Sequence, residues 1–445
     1  MGKVRPPWEH AGVTAAPEAP GGSAAPLVRP AVRGATAILL SLTILNLLNY
    51  IDRSVLSAVL AQMKKPGAIL AGHSEAQLGF LSSIFLIVYM VVSPLSGVLA
   101  SRMQRKRLVA AGVIIWSLAT MATGLARSYH EIIWARAFIG FGEAGYAAIA
   151  PAMITDLYGP DRRARMLSVF YLAIPIGFAL GYVLGGNVGA AYGWRAAFFV
   201  AGVPGLVMAF VQLALPEPPR GGGEVVTRIP LGPALGSLTR NAPFLFNMFG
   251  QALMTFALGA AAYWMPKYLE EVRKIPQAKA GNLFGISIVL AGLIGTGLGG
   301  WLGDAWLRRD KGAYFKLSGL CLCAAAPLFF AAPFMPTFHG VMLVGFLSQI
   351  FLFVSTGPLA AAIMDCSQPG IRETAMGVNI LFIHLLGDAV SPTIVGWIVD
   401  TRMAAGSTLD AAWSVALASL AVPTLLGGVV LLLGVRAVRR FRLAT

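Results

Sequence analysis

The sequence predicts an all-α membrane protein, with twelve transmembrane helices arranged as two six-helix bundles. Three observations carry this. First, 57% of the 445 residues are apolar, 51 are glycine and only 12% are charged, giving a mean hydropathy of +0.73. A soluble domain has too little interior to hide that much apolar surface, which excludes a soluble enzyme, a nucleic-acid binder and a disordered chain. Second, apolar runs recur twelve times between charged or Gly/Pro-rich breaks, and each approaches the roughly 20 residues needed to cross a bilayer. Third, the longest internal break divides the runs six and six.

Taken in order, residues 1–33 are rich in Ala, Pro and Gly and lack an apolar core. They read as a disordered cytoplasmic tail, not a signal peptide. Residues 34–215 read as the N-terminal bundle, with spans at 35–62, 76–101, 107–126, 130–157, 163–188 and 194–215. Residues 216–242 carry Pro216, Glu217, Pro218, Pro219, Arg220 and three glycines, and read as a cytoplasmic linker. Residues 243–437 read as the C-terminal bundle, with spans at 243–268, 279–305, 312–332, 338–364, 371–399 and 410–436, followed by a cytoplasmic tail at 438–445.

Charge placement orients the chain. Lys plus Arg is 34 and Asp plus Glu is 19, a net charge of +15. With the N-terminus placed in the cytoplasm, 23 basic residues fall on the inner segments, 9 on the outer ones and 2 within spans. That bias predicts both termini inside and removes the nucleic-acid reading. The absence of an Asn-x-Ser/Thr sequon favours a bacterial source, hence a bacterial inner membrane. Cys321, Cys323 and Cys366 fall in or beside apolar segments and read as packing residues. No metal spacing, phosphate loop or Ser-His-Asp pattern occurs, so no cofactor, metal or enzymatic activity is expected.

A repeat supports the division. GVLASRMQRKR (Gly97 to Arg107) and GWLGDAWLRRD (Gly300 to Asp310) share one pattern and begin 203 residues apart. Two six-span halves with these basic breaks resemble the major facilitator superfamily. That resemblance implies a central cavity opening to alternate sides, and a gate built from the basic breaks: Ser101, Arg102, Arg105, Asp304 and Arg308. The superfamily usually has Asp at the position of Ser101. Serine cannot form that ion pair, so a weaker inner gate and a larger inward-facing population are expected.

Ionisable groups at membrane depth cost several kcal/mol and are functional candidates. Six stand out: Asp52, Arg53, Arg136, Glu143, His384 and Asp388. Asn46, Asn49, Arg53 and Ser57 share one helical stripe, with Asp52 beside it. Arg136 and Glu143, seven residues apart, share a face, as do His384, Asp388 and Ser391. Ion pairs that merely fix helix packing are the alternative, weightiest for His384 and Asp388. In the polar stripe Asn247, Gln251 and Thr255, cavity lining and interhelical hydrogen bonding fit equally well. If Asp52 and Glu143 neutralise Arg53 and Arg136, protonating one acid frees an arginine for a phosphate or carboxylate. The remaining walls of the C-terminal half are greasy, which suits an amphiphile with an anionic head.

NYIDR (Asn49 to Arg53), RAFIGFGEAGYAAIAPAMITDLY (Arg136 to Tyr158), RRARMLSVFYLAIPIGFALGY (Arg162 to Tyr182), EPPRG (Glu217 to Gly221) and GDAVSPTIVG (Gly387 to Gly396) together resemble the Spinster family of lipid transporters. The resemblance implies transport of lysophospholipids or sphingosine phosphate, as in animal members. It also implies proton coupling through Asp52 and Glu143 and substrate binding by Arg53 and Arg136; Asn49, His384 and Asp388 are further binding candidates from their depth in the membrane alone. The expected partners are a small amphiphile, protons and the bilayer, with the chain a monomer. A small organic anion or sugar-acid carrier, and a scramblase or membrane receptor, are the alternatives.

Overall fold

The computed structural model describes residues 34–147, 149–158, 160–218, 231–367 and 371–444. The predicted tail at 1–33 and the middle of the linker lie outside the described residues, as does the side chain of Ser101. Among the described residues there is no strand, and twelve helical spans are long and apolar enough to cross a membrane.

In the N-terminal half these are α1 (Ala35–Met63), α2 (Glu75–Arg102), α3 (Arg105–Leu125), α4 (Tyr129–Ala147) with α5 (Ile149–Leu157), α6 (Pro160–Tyr192) and α7 (Trp194–Ala214). The predicted linker region holds a short helix, α8 (Leu231–Thr239). The second half contains α9 (Ala242–Glu271), α10 (Gln277–Leu307), α11 (Ala313–Ala331), α12 (Phe338–Val354) with α13 (Thr356–Asp365), α14 (Arg372–Ile383) with α15 (Ser391–Ala404), and α16 (Leu409–Ala418) with α17 (Ala421–Ala444).

Long apolar runs leave each backbone amide only its own helix for a partner, so the spans are helices throughout. Boundaries differ from the sequence expectation by a few residues, because polar ends such as Glu75 and Gln277 still complete a first turn. Span 11 departs more. Between α14 and α15, residues His384–Asp388 form one π turn, and Gly387 has φ −100° and ψ −106°. The bend presses Asp388 against α9, where a Cβ on Gly259 would lie 2.3 Å from the Asp388 Cβ.

Within each half, small residues set close crossings. Cβ atoms added to Gly112 or Gly142 would each lie 2.5 Å from the other's carbonyl oxygen, so α3 and α4 touch backbone to backbone. Between the halves, α6 packs on α10 and α2 on α15. We refer to the end where α1 finishes and α2 starts as the far end. The basic end carries the 102–107 and 308–316 breaks.

Candidate functional site

The helix 1 stripe contacts three different neighbours. Asn46 Nδ2 donates to the Phe170 carbonyl on α6 at 3.0 Å. Arg53 Nε donates to Glu143 Oε2 on α4 at 2.8 Å, with its terminal nitrogen 2.7 Å from the same oxygen. Ser57 Oγ donates to the Tyr263 carbonyl on α9 at 2.5 Å. The stripe is therefore wholly interior, as its period requires.

The charges do not pair as two matched couples. Glu143 is fully buried and belongs to Arg53. Asp52 is buried and accepts a 2.6 Å hydrogen bond from Thr120 Oγ1 on α3. Arg136 is buried and its Nε donates to the Leu81 carbonyl on α2 at 3.1 Å. Among the described residues no carboxylate lies within ion-pair distance of Arg136. The geometry thus distinguishes the two arginines: Arg53 is in a direct ion pair with Glu143, whereas Arg136 meets the Asp52 and Glu143 carboxylates only at longer range.

What joins the arginines is an aromatic ring. The Phe85 ring centroid lies 5.0 Å from the Arg53 guanidinium carbon and 4.8 Å from that of Arg136. Tyr50 and Tyr89 complete the enclosure of Arg53, at 4.8 and 5.3 Å. Each such contact contributes on the order of 0.5–2 kcal/mol and keeps the guanidinium planes in place without consuming their hydrogen-bond donors. The α2–α4 crossing makes this possible, since a Cβ on Gly140 would fall 2.3 Å from the Phe85 carbonyl oxygen.

Four buried polar atoms of this set have no protein partner: Arg136 Nη1, Asn49 Nδ2, Asp52 Oδ1 and Glu143 Oε1. Two donate and two accept. Buried polar groups are almost always paired, so such a cluster marks a binding site more readily than a packing interface.

From the other half, His384 Nδ1 lies 2.9 Å from Asp388 Oδ1, and the pair is partly exposed. The imidazole meets the Tyr89 ring edge-on, with centroids 6.5 Å apart. His384 and Asp388 thus border the Arg53 enclosure through Tyr89. Of the polar stripe on α9, Asn247 and Gln251 turn out to bond other helices, through the Leu359 carbonyl and Asn379. A separate small apolar pocket of about 20 Å³, room for roughly one water molecule, lies in the C-terminal half between Leu258, Met265, Phe284, Phe329 and Leu417.

At the basic end, Arg105 bonds Asp156 (2.5 Å), Glu217 (3.3 Å) and the Pro218 carbonyl (2.9 Å). Glu217 also caps α3, accepting from the Arg105 and Lys106 amides. Arg102, Asp304 and Arg308 are exposed. Asp304 accepts from the Tyr314 hydroxyl at 2.8 Å, so the cation pairing expected of it falls to Asp310, which meets Lys316 at 2.6 Å and Arg439 at 2.7 Å. Ser101 cannot be placed in this arrangement, its side chain being outside the described residues.

Sequence reasoning missed Thr120, Phe85 and Tyr89. Thr120 is one hydroxyl among several in apolar spans, and the two aromatics sit among 24 phenylalanines and 11 tyrosines, so no local signal marked them.

Twelve spans around a buried charged cluster define a membrane transporter, and comparison with known proteins narrows the class. Residues 42–392 match the family model described as Major Facilitator Superfamily. The chain is 33% identical over 375 residues to "Protein spinster" of Drosophila melanogaster, covering 81% of this chain and 61% of the fly protein. It is 32% identical to "Protein spinster homolog 1" of Mus musculus, covering 82% of this chain and 73% of the mouse protein. A solved bacterial homologue of the human lysosomal transporter Spinster, described as inward-facing and unoccupied, superimposes with a TM-score of 0.82 at 22% identity, over 93% of this chain and 99% of that one. The chain belongs to the Spinster family of the major facilitator superfamily. It is a transporter and not an enzyme.

Proposed function

We propose that this protein is a secondary active transporter for an anionic amphiphile of the lysophospholipid or sphingosine-phosphate type, coupled to protons. The observation that carries the reading is the buried Arg136, with a free guanidinium nitrogen and no carboxylate partner. A buried cation without a counter-ion in direct contact is costly, and an anionic head group would offset that cost with charge-assisted hydrogen bonds. Asn49 supplies a neighbouring donor. Arg53 is held in reserve by Glu143, and proton uptake by Glu143 would release it. Asp52, bonded only through one oxygen, is the second proton acceptor. His384 and Asp388 border the head group from the opposite half.

A plant relative, 28% identical, bears the name "Probable sphingolipid transporter spinster homolog 2", which agrees with this substrate class. The excess of basic residues at one end supports a bacterial inner-membrane location with both termini in the cytoplasm. In that orientation the far end is periplasmic. The chain acts as a monomer, the whole pathway lying within one pair of bundles.

The test is reconstitution into liposomes with a labelled lysophospholipid, with and without a pH gradient. Wild type is expected to accumulate label only with the gradient, and Arg136→Ala to lose uptake. Gradient-independent equilibration of label would instead favour a scramblase.

A further inference from the structure

The far end is closed by charges that no sequence pattern marked. Lys267 on α9 is buried, its Nζ 2.8 Å from Glu75 Oε1 on α2 and 2.6 Å from Glu271 Oε2 on its own helix. The ammonium also sits over two indole rings, 5.9 Å from the Trp264 centroid and 5.0 Å from that of Trp413. Glu75 is buried as well and holds a second cation, Lys64, at 2.5 Å. A buried lysine is costly unless paired, so Lys267 depends on a carboxylate that belongs to the other half of the molecule.

A second carboxylate crosses in the reverse direction. Asp400 on α15 accepts from the Glu75 and Ala76 amides at 2.8 Å each. These are the first two orphan donors of α2. The third, on Gln77, goes to Ser74 Oγ in a capping box. The start of α2 therefore satisfies one amide within its own half and two from the other. The positive end of the helix favours the anion. Backbone contact leaves no slack, because a Cβ on Gly396 of α15 would lie 2.3 Å from the Glu75 carbonyl oxygen. Tyr263 Oη, on α9, donates to the Leu78 carbonyl of α2 at 2.5 Å. Lys65 and Glu270 add a more exposed crossing pair at 3.2 Å.

We infer that Lys267 and Asp400 form an ionic latch that holds the two halves together at the far end, and that Glu75 with the start of α2 is its shared keeper. Opening the far end separates α2 from α9 and α15, which strands Lys267 with Glu271 alone and returns two α2 amides to water. The latch thus sets the ratio of the two access states.

Spin labels replacing Tyr192, at the end of α6, and Lys279, near the start of α10, report the far-end distance in a chain lacking Cys321, Cys323 and Cys366. Neither substrate nor a pH gradient is needed, so the outcome is independent of the proposed function. Lys267→Met and Asp400→Asn are each expected to shift the long-distance to short-distance ratio on the order of tenfold or more toward the long state, the scale of losing one hydrogen bond to a charged group. Lys64→Met is the control: it removes a charge from the same carboxylate but within one half, and the distribution is expected to stay as in wild type. Lys267→Met risks misfolding, whereas Asp400→Asn is isosteric and keeps the test decisive. An unchanged distribution in Asp400→Asn, or an equal shift in Lys64→Met, would overturn the latch.

Discussion

The two halves share a sequence repeat and a six-span plan but differ in what they bury. In the N-terminal half two arginines, from α1 and α4, share the Phe85 ring; Arg53 pairs directly with Glu143, and Arg136 makes no direct ion pair. Among the described residues of the C-terminal half, the counterpart at this depth is the His384–Asp388 pair, hydrogen-bonded to itself within one bent turn. A pair that satisfies itself has little left to offer a ligand, whereas an uneven set does. The lesson is that the repeat supplies two similar scaffolds, and the charge imbalance of one assigns it the chemistry.

The contrast can be broken most severely at Arg136. Arg136→Ala should reduce lipid uptake by about 100-fold or more, in line with 2–5 kcal/mol for truncating a buried charged partner. Size-exclusion profiles should stay monodisperse, since no ion pair is broken. Glu143→Gln attacks the paired arginine instead. It leaves Arg53 uncompensated and should destabilise the N-terminal half by about 3 kcal/mol, seen as a lower thermal midpoint in detergent. If Glu143→Gln is as stable as wild type while Arg136→Ala unfolds, the assignment of paired and free arginines is reversed.

Asp52→Asn keeps the Thr120 hydrogen bond but cannot take up a proton. Uptake measured from pH 5 to 8 should lose part of its pH dependence, and an unchanged profile would count against a role for Asp52 in coupling. His384→Gln should cost only a few-fold in uptake, because a partly exposed pair contributes up to about 1 kcal/mol. A loss as large as that of Arg136→Ala would erase the asymmetry between halves.

The smallest effect is expected at Asp310. Hydrogen bonds from Arg439 and then Lys316 hold its carboxyl well below the usual carboxylate range. A lowered value in the folded state means that its contribution is complete above the ordinary aspartate pKa of about 4 and fades only as pH falls through the lowered value. Asp310→Asn should therefore leave the shape of the pH profile between 5 and 8 unchanged. Any change there would move part of the proton coupling into the C-terminal half.

Much of this was legible in the residues. The spans followed from apolar length, and α1 and α4 carry their ionisable groups where the helical period places them. The partners were not legible. Asp52 and Arg53 are adjacent in sequence, yet they point to α3 and α4 respectively, since neighbours on a helix diverge by about 100°. Lys267 read as one of nine outer charges but is buried, because Glu75, Glu271 and two indoles converge on it from three helices. The bend at Gly387 was likewise silent, arising where α14 and α15 fit against α9.

By itself the sequence determined that the chain enters a membrane, how many times it crosses and which charges are carried in with it. Those are consequences of transfer free energy, which each segment experiences almost independently of the others. Only the tertiary structure decided which arginine is directly paired, which ring holds both arginines and which lysine closes the far end. Those are pair interactions that act over a few ångströms, between residues up to 325 positions apart in the chain, and no local pattern encodes which of them will meet.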